Sequence, residues 1–218
     1  MKLSTLFNHC LHIPYTQAEN SANYARERMG TVLYLYFEGS DGVEDWKNNL
    51  NFPVKPYRRM GQTIWLVHHG FLTVWKSIED HVATDILDPT VRKIVVVGYS
   101  HGAAVATLCH EYVWYHRPDL RDTQEGYGFG CPRVLWGLST PACRQRWRRF
   151  CVIRNIDDIV THVPPVFLGF SHVGNVVEIG ERGRYSRVDA HRAENILAEL
   201  ERWEHTGVVQ SKPGSLML

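Results

Sequence analysis

Two kinds of apolar pattern alternate along this chain. Continuous apolar stretches, rich in β-branched and aromatic residues, occupy 31–37, 64–67, 93–97, 126–130 and 149–154, and each predicts a buried strand. Residues 173–179 predict a hairpin or edge strand. Between them, apolar residues recur every three or four positions. Phe71, Val74, Trp75, Ile78, Val82 and Ile86 make one stripe, which predicts a helix over 70–87. Further helices are predicted over 17–29, with Thr16 as cap, over 102–115, ended before Pro118, and over 188–203. Strands alternating with helices predict an α/β layered fold with a mostly parallel central sheet. In such sheets sites gather at the carboxyl ends of the strands. No repeat, low-complexity tract or linker interrupts the pattern, so residues 1–218 are expected to form a single domain.

One of these strand ends carries a chemical signature. Gly98-Tyr99-Ser100-His101-Gly102 follows the apolar run Ile94-Val95-Val96-Val97 and precedes the small-residue helix that starts at Ala103. Strand, tight turn with serine at its tip, then helix is the context of a nucleophile elbow. A serine hydroxyl is a weak nucleophile unless it is held out of the sheet beside a base. The helix that follows aims its N–H groups and its dipole at the same point, where a developing oxyanion would be stabilised. In the hydrolase chain order, an acid and then a histidine must follow the serine. Asp157 and Asp158, just past the strand over 149–154, are both placed to hold an imidazole. His191, at the start of the last helix, and His205, near its end, are the candidate bases.

Composition narrows the classes. A net charge of +1 gives no long-range attraction to nucleic acid or to anionic membranes. Arg144, Arg146, Arg148 and Arg149 read as a solvated helix face, with Trp147 turned inward. No stretch approaches the roughly 20 apolar residues of a spanning helix, and Asn8, His9 and His12 interrupt the N-terminal apolar residues, so no signal peptide is recognised. The cysteines are Cys10, Cys109, Cys131, Cys143 and Cys151. Their odd number and spacing fit neither a disulfide framework nor a zinc site, and read as reduced thiols. Cys109 and Cys151 are expected in the core. The resulting expectation is a cytoplasmic protein with no metal and no organic cofactor.

Further segments carry a family likeness. Tyr36-Phe37-Glu38-Gly39-Ser40 with Asp45-Trp46, Val67-His68-His69-Gly70-Phe71, the elbow itself, Tyr127-Gly128-Phe129-Gly130-Cys131-Pro132-Arg133-Val134, and Asp158-Ile159-Val160 with Pro164-Pro165 and His172-Val173-Gly174 occur in order. Together they resemble class 3, fungal-type lipases of the α/β-hydrolase fold, from about residue 32 to 191. The resemblance implies a mostly parallel sheet flanked by helices. It matches Ser100 to the nucleophile, Asp158 rather than Asp157 to the acid, and His191, by order and position, to the base. It matches Ser40 and the His101 amide to the oxyanion hole. Glu38 stands where the family usually has arginine, and Ser40 where it has threonine.

The resemblance also makes 41–50 the lid. Val43, Trp46 and Leu50 lie on one side of that segment at helical spacing, suited to transient contact with a lipid surface. The implied activity is hydrolysis of lipid or small carboxylic esters through an acyl-enzyme. The alternatives are a phospholipase or acyltransferase with the same triad, or a lipid-binding module without turnover.

Overall fold

Strand β5 (Lys93–Tyr99) organises the molecule. Its residues Ile94 to Val97 are all buried, as expected of a central parallel strand covered on both faces. Ile94 and Val96 face one hydrophobic cluster, and Val95 and Val97 face the other. Helices α2 (His69–Ile86) and α3 (His101–His116) fill the first cluster. Helices α1 (Leu3–His12) and α5 (Ala193–Thr206) cover the second, through Leu6, Phe7, Ile196 and Leu200. The computed structural model describes residues 2–19, 22–39, 53–59, 62–137 and 140–206. Ser40 and the lid expected over 41–50 lie outside the described residues.

The main sheet has the order β1-β2-β5-β6-β8-β10. Here β1 is Tyr24–Met29, β2 Val32–Phe37, β6 Glu125–Phe129, β8 Phe150–Asn155 and β10 Asn175–Ile179. All neighbours are parallel except β1 and β2. A second, antiparallel sheet has the order β3-β4-β7-β9, formed by Val54–Arg59, Gln62–His68, Leu135–Trp136 and Phe170–Ser171. A short helix, α4 (Pro141–Arg146), precedes β8. This is the α/β-hydrolase arrangement.

Three expectations are corrected. Residues 24–29 form a strand rather than the end of a helix. They pair with β2 from Tyr24↔Phe37 to Met29↔Val32 across the Gly30-Thr31 turn. The local propensity of the segment is overridden because the edge of β2 needs a partner and the charges alternate with period two. Arg26 and Arg28 reach Asp85 and Asp88 at 2.5 Å on one face, and Glu27 reaches His9 at 3.0 Å on the other.

Nor is the arginine group a uniformly solvated face. Arg146 pairs with the fully buried Glu111 and lies over the rings of Trp65 and Trp114, while Trp147 is buried as expected. Among the two expected core cysteines, Cys109 is fully buried, whereas Cys151 is only half-buried on β8. Cys151 faces the second cluster, as the buried Ile153 does, but near the start of β8 it is only partly covered.

Candidate active site

The elbow forms because two glycines allow it. Ser100 has φ 52° and ψ −121°, and it is the one non-glycine residue with positive φ among those described. This is a strained backbone for an L-residue, and it lifts the side chain out of the sheet. A Cβ on Gly98 would lie 2.3 Å from the Gly102 carbonyl oxygen, and one on Gly102 would lie 2.2 Å from that of Phe37. Strand, turn and helix can therefore close on one another only without side chains there. The Ser100 N–H donates to the Phe129 carbonyl at 2.9 Å and ties the turn to β6.

The structure brings Ser100, His191 and Asp158 together. The Ser100 hydroxyl lies 2.8 Å from Nε2 of His191, and Nδ1 of His191 lies 2.8 Å from Oδ2 of Asp158. All three side chains are buried. Asp158 follows the carboxyl end of β8. Its Oδ1 accepts from the Val160 N–H at 2.8 Å, and its main-chain carbonyl accepts from the Thr161 hydroxyl at 2.9 Å. With one oxygen engaged by the backbone, the other is directed at the imidazole. Asp157 points elsewhere, accepting from the Gly183 N–H at 2.6 Å.

His191 ends a short 3-10 turn, Asp189–His191. Ser186 and Asp189 brace that turn, and the Asn195 amide donates to the Asp189 carbonyl at 2.8 Å. His205 lies on the last turn of α5, where its ring bonds the Glu201 carbonyl, away from Ser100.

His101 is the first residue of α3, so its N–H lies at the positive end of the helix, beside Ser100. Burial lowers its imidazole pKa to about 4, which keeps the ring neutral. Glu38, the departure from the family pattern, accepts from the Asn23 amide at 2.6 Å and fastens the end of β2 to the strand before it.

Sequence reasoning missed two supporting residues. Arg133 donates to the Pro164 carbonyl at 3.0 Å and also to the carbonyl of His162, which pins the loop that follows Asp158. Its signal was present in the Pro132-Arg133 pair of the matched segment. Tyr99 stacks on the His191 ring; the strand alternation of Val95, Val97 and Tyr99 puts it on that face of the sheet, but does not name its partner.

Fold and site together define an α/β-hydrolase with a Ser–His–Asp array at the carboxyl ends of β5 and β8. The chain belongs to the lipase (class 3) family, whose sequence profile matches residues 34–168. It is 30% identical over 171 residues to a lipase of Rhizomucor miehei, covering 72% of this chain and 44% of that protein. It is 31% identical over 162 residues to the secreted mono- and diacylglycerol lipase 1 of Fusarium solani, covering 72% and 46%. The solved Rhizomucor miehei triacylglyceride lipase superposes with a TM-score of 0.65 at 26% identity, over 78% of this chain and 66% of that one. Another solved triacylglycerol lipase, whose catalytic centre is described as a serine protease triad, superposes at 0.63 with 25% identity, over 78% and 66%. The chain spans about half the length of the curated relatives it matches.

These relatives correct the cytoplasmic expectation. Those of Fusarium solani and Penicillium cyclopium are named as secreted, which points outside the cell. The thiol argument fails for a physical reason. Cys10, Cys109, Cys131 and Cys143 are buried, and burial pushes the Cys131 thiol up to about 12 and that of Cys10 to about 11. Buried thiols held in the protonated form are poorly reactive, so unpaired cysteines do not decide the compartment.

Proposed function

We propose that this protein hydrolyses carboxylic esters of lipids through an acyl-enzyme on Ser100, with residues 1–218 acting as one catalytic domain. The observation that carries this reading is the continuous hydrogen-bonded chain from the Ser100 hydroxyl through His191 to Asp158, with 2.8 Å at each link.

Ser100 Oγ attacks the ester carbonyl as Nε2 of His191 takes its proton. Asp158 accepts from Nδ1–H, fixes the tautomer that leaves Nε2 basic, and stabilises the imidazolium that forms. The oxyanion is received by the His101 amide at the head of α3, with Ser40 as second donor. His191 then protonates the departing alcohol. A water, deprotonated by the same nitrogen, attacks the acyl-enzyme, and Ser100 recovers its proton.

A lipid substrate is supported by the family, whose named relatives include mono- and diacylglycerol lipases. It is also supported by an apolar surface on the loop that leaves Asp158. Val166 and Phe167 are 63% and 86% exposed, and Leu168 and Trp136 lie beside them, locked by a 2.8 Å bond from the Trp136 indole N–H to the Leu168 carbonyl. Large apolar side chains held outward on the segment that follows the acid suit contact with a lipid surface, the role also proposed for the lid over 41–50.

A fluorophosphonate probe tests the reading, since it reacts only with an activated serine. The wild-type protein should be labelled and should hydrolyse p-nitrophenyl butyrate and emulsified diacylglycerol. Ser100→Ala should abolish labelling and lower kcat by several orders of magnitude. Hydrolysis that survives Ser100→Ala would refute the assignment. Release of free fatty acid with water, against transfer to added alcohol, separates hydrolase from acyltransferase.

A further inference from the structure

The last residue of the strand, next to the nucleophile, makes contacts that the hydrolytic scheme does not use. Tyr99 ends β5, on the face where Val95 and Val97 meet α1 and α5. Its ring stacks on the His191 imidazole, with centroids 5.3 Å apart and planes inclined by 21°. Its hydroxyl donates to the His191 main-chain carbonyl at 2.7 Å. Phe7 of α1 meets the same ring edge-on at 5.4 Å. The main chain at Gly39, leading into residue 40, also passes against it, so that a Cβ there would fall 2.7 Å from Tyr99 Cδ1.

We propose that Tyr99 is a positioning residue, whose ring and hydroxyl hold the His191 imidazole and the main chain at Gly39 at the spacing that Ser100 requires. This rests on the acyl-enzyme reading of Ser100. Two hydrogen bonds fix the imidazole along its Nδ1–Nε2 axis but leave it free to rock about that axis. A stacked ring removes the rocking, and the bond to the carbonyl fixes the turn from which the imidazole hangs. As Ser100 Oγ moves onto the substrate, the Nε2 contact is broken and remade to the leaving alcohol. The Tyr99 contacts do not depend on substrate and persist through both steps. The aromatic face also favours the imidazolium formed between them.

Two variants separate the ring from the hydroxyl. Tyr99→Phe keeps the stack and loses the bond, and should lower kcat on p-nitrophenyl butyrate about threefold to tenfold with KM unchanged. Tyr99→Leu loses both, and should lower kcat about 30- to 100-fold, again with KM unchanged, with a parallel fall in the rate of fluorophosphonate inactivation. Thermal melting of each variant accompanies the kinetics, and Tyr99→Phe decides the matter if Tyr99→Leu does not fold. Gly39→Ala should lower kcat more in the wild-type background than in Tyr99→Leu, where the ring is gone.

Wild-type kcat in both Tyr99 variants, or a loss confined to KM, would overturn the proposal while labelling of Ser100 in the wild type stands. Additive effects of Gly39→Ala and Tyr99→Leu would overturn its Gly39 part. A wild-type protein that fails to react with the probe would overturn the acyl-enzyme reading itself.

Discussion

Asp158→Asn changes one atom and should cost most of the activity. The wild-type carboxylate is fully buried, with Oδ1 on the Val160 N–H and Oδ2 on His191 Nδ1, both at 2.8 Å. An asparagine here has two orientations. If its oxygen keeps the Val160 N–H, its NH2 faces Nδ1. The imidazole then carries its proton on Nε2 and offers Ser100 no lone pair. If the amide flips, its NH2 faces the Val160 N–H in a buried site, and that mismatch costs about 1–3 kcal/mol. The reactive tautomer is thus a minor species, and the imidazolium also loses its charged partner. Together these effects predict a fall in kcat of about 10³- to 10⁴-fold, or about 4–5.5 kcal/mol at 1.36 kcal/mol per decade.

Asp157→Asn is the control. Its carboxylate bonds only the Gly183 N–H among the described contacts, so kcat should stay within about twofold. The assay is steady-state hydrolysis of p-nitrophenyl butyrate at pH 8, with fluorophosphonate labelling rates and melting curves on the same preparations. If Asp158→Asn keeps activity within tenfold of wild type, or Asp157→Asn falls as far, the tautomer reasoning is wrong.

Other expectations concern packing, acid stability and the surface. Gly102→Ala would set a methyl 2.2 Å from the Phe37 carbonyl oxygen and should destabilise the fold by about 3 kcal/mol, read by urea unfolding; a loss under 1 kcal/mol would show that the elbow can relax. Burial lowers the pKa of His110 to about 3 and of His68 to about 4, so as pH falls below about 6.5 the unfolded chain takes up protons first. Stability should therefore be full above that pH and lost as pH falls toward 4, and melting temperatures that stay flat from pH 7 to 4.5 would contradict this. The double variant Val166→Ser, Phe167→Ser should lower sedimentation with phosphatidylcholine vesicles about tenfold and leave hydrolysis of the soluble butyrate ester unchanged. Unchanged sedimentation would remove that surface from lipid contact.

The elbow was legible because its constraints are local. The apolar run 94–97, the paired glycines and the serine between them are contiguous, and their spacing encodes a strand, a turn and a helix without reference to the rest of the chain. The central strands and α2 were legible for the same reason, since each buries a face whose period is written in a few neighbouring residues. The segment 24–29 was not. Its residues suit a helix, and only the presence of β2, with α1 on one side and α2 and the turn after it on the other to receive its alternating charges, makes a strand of it.

The sequence by itself determined which serine stands at a strand end and which later residues are candidates for acid and base. Between Asp157 and Asp158, residue-level reading left both open, because neighbouring carboxylates differ only in direction. The tertiary structure decided that Asp158 turns inward, that His191 rather than His205 arrives opposite it, and that Tyr99 lies against the imidazole. Those contacts join positions 33 and 92 residues apart. Such contacts follow from how the layers pack and where the loops cross the sheet edge, which no local pattern in the chain records.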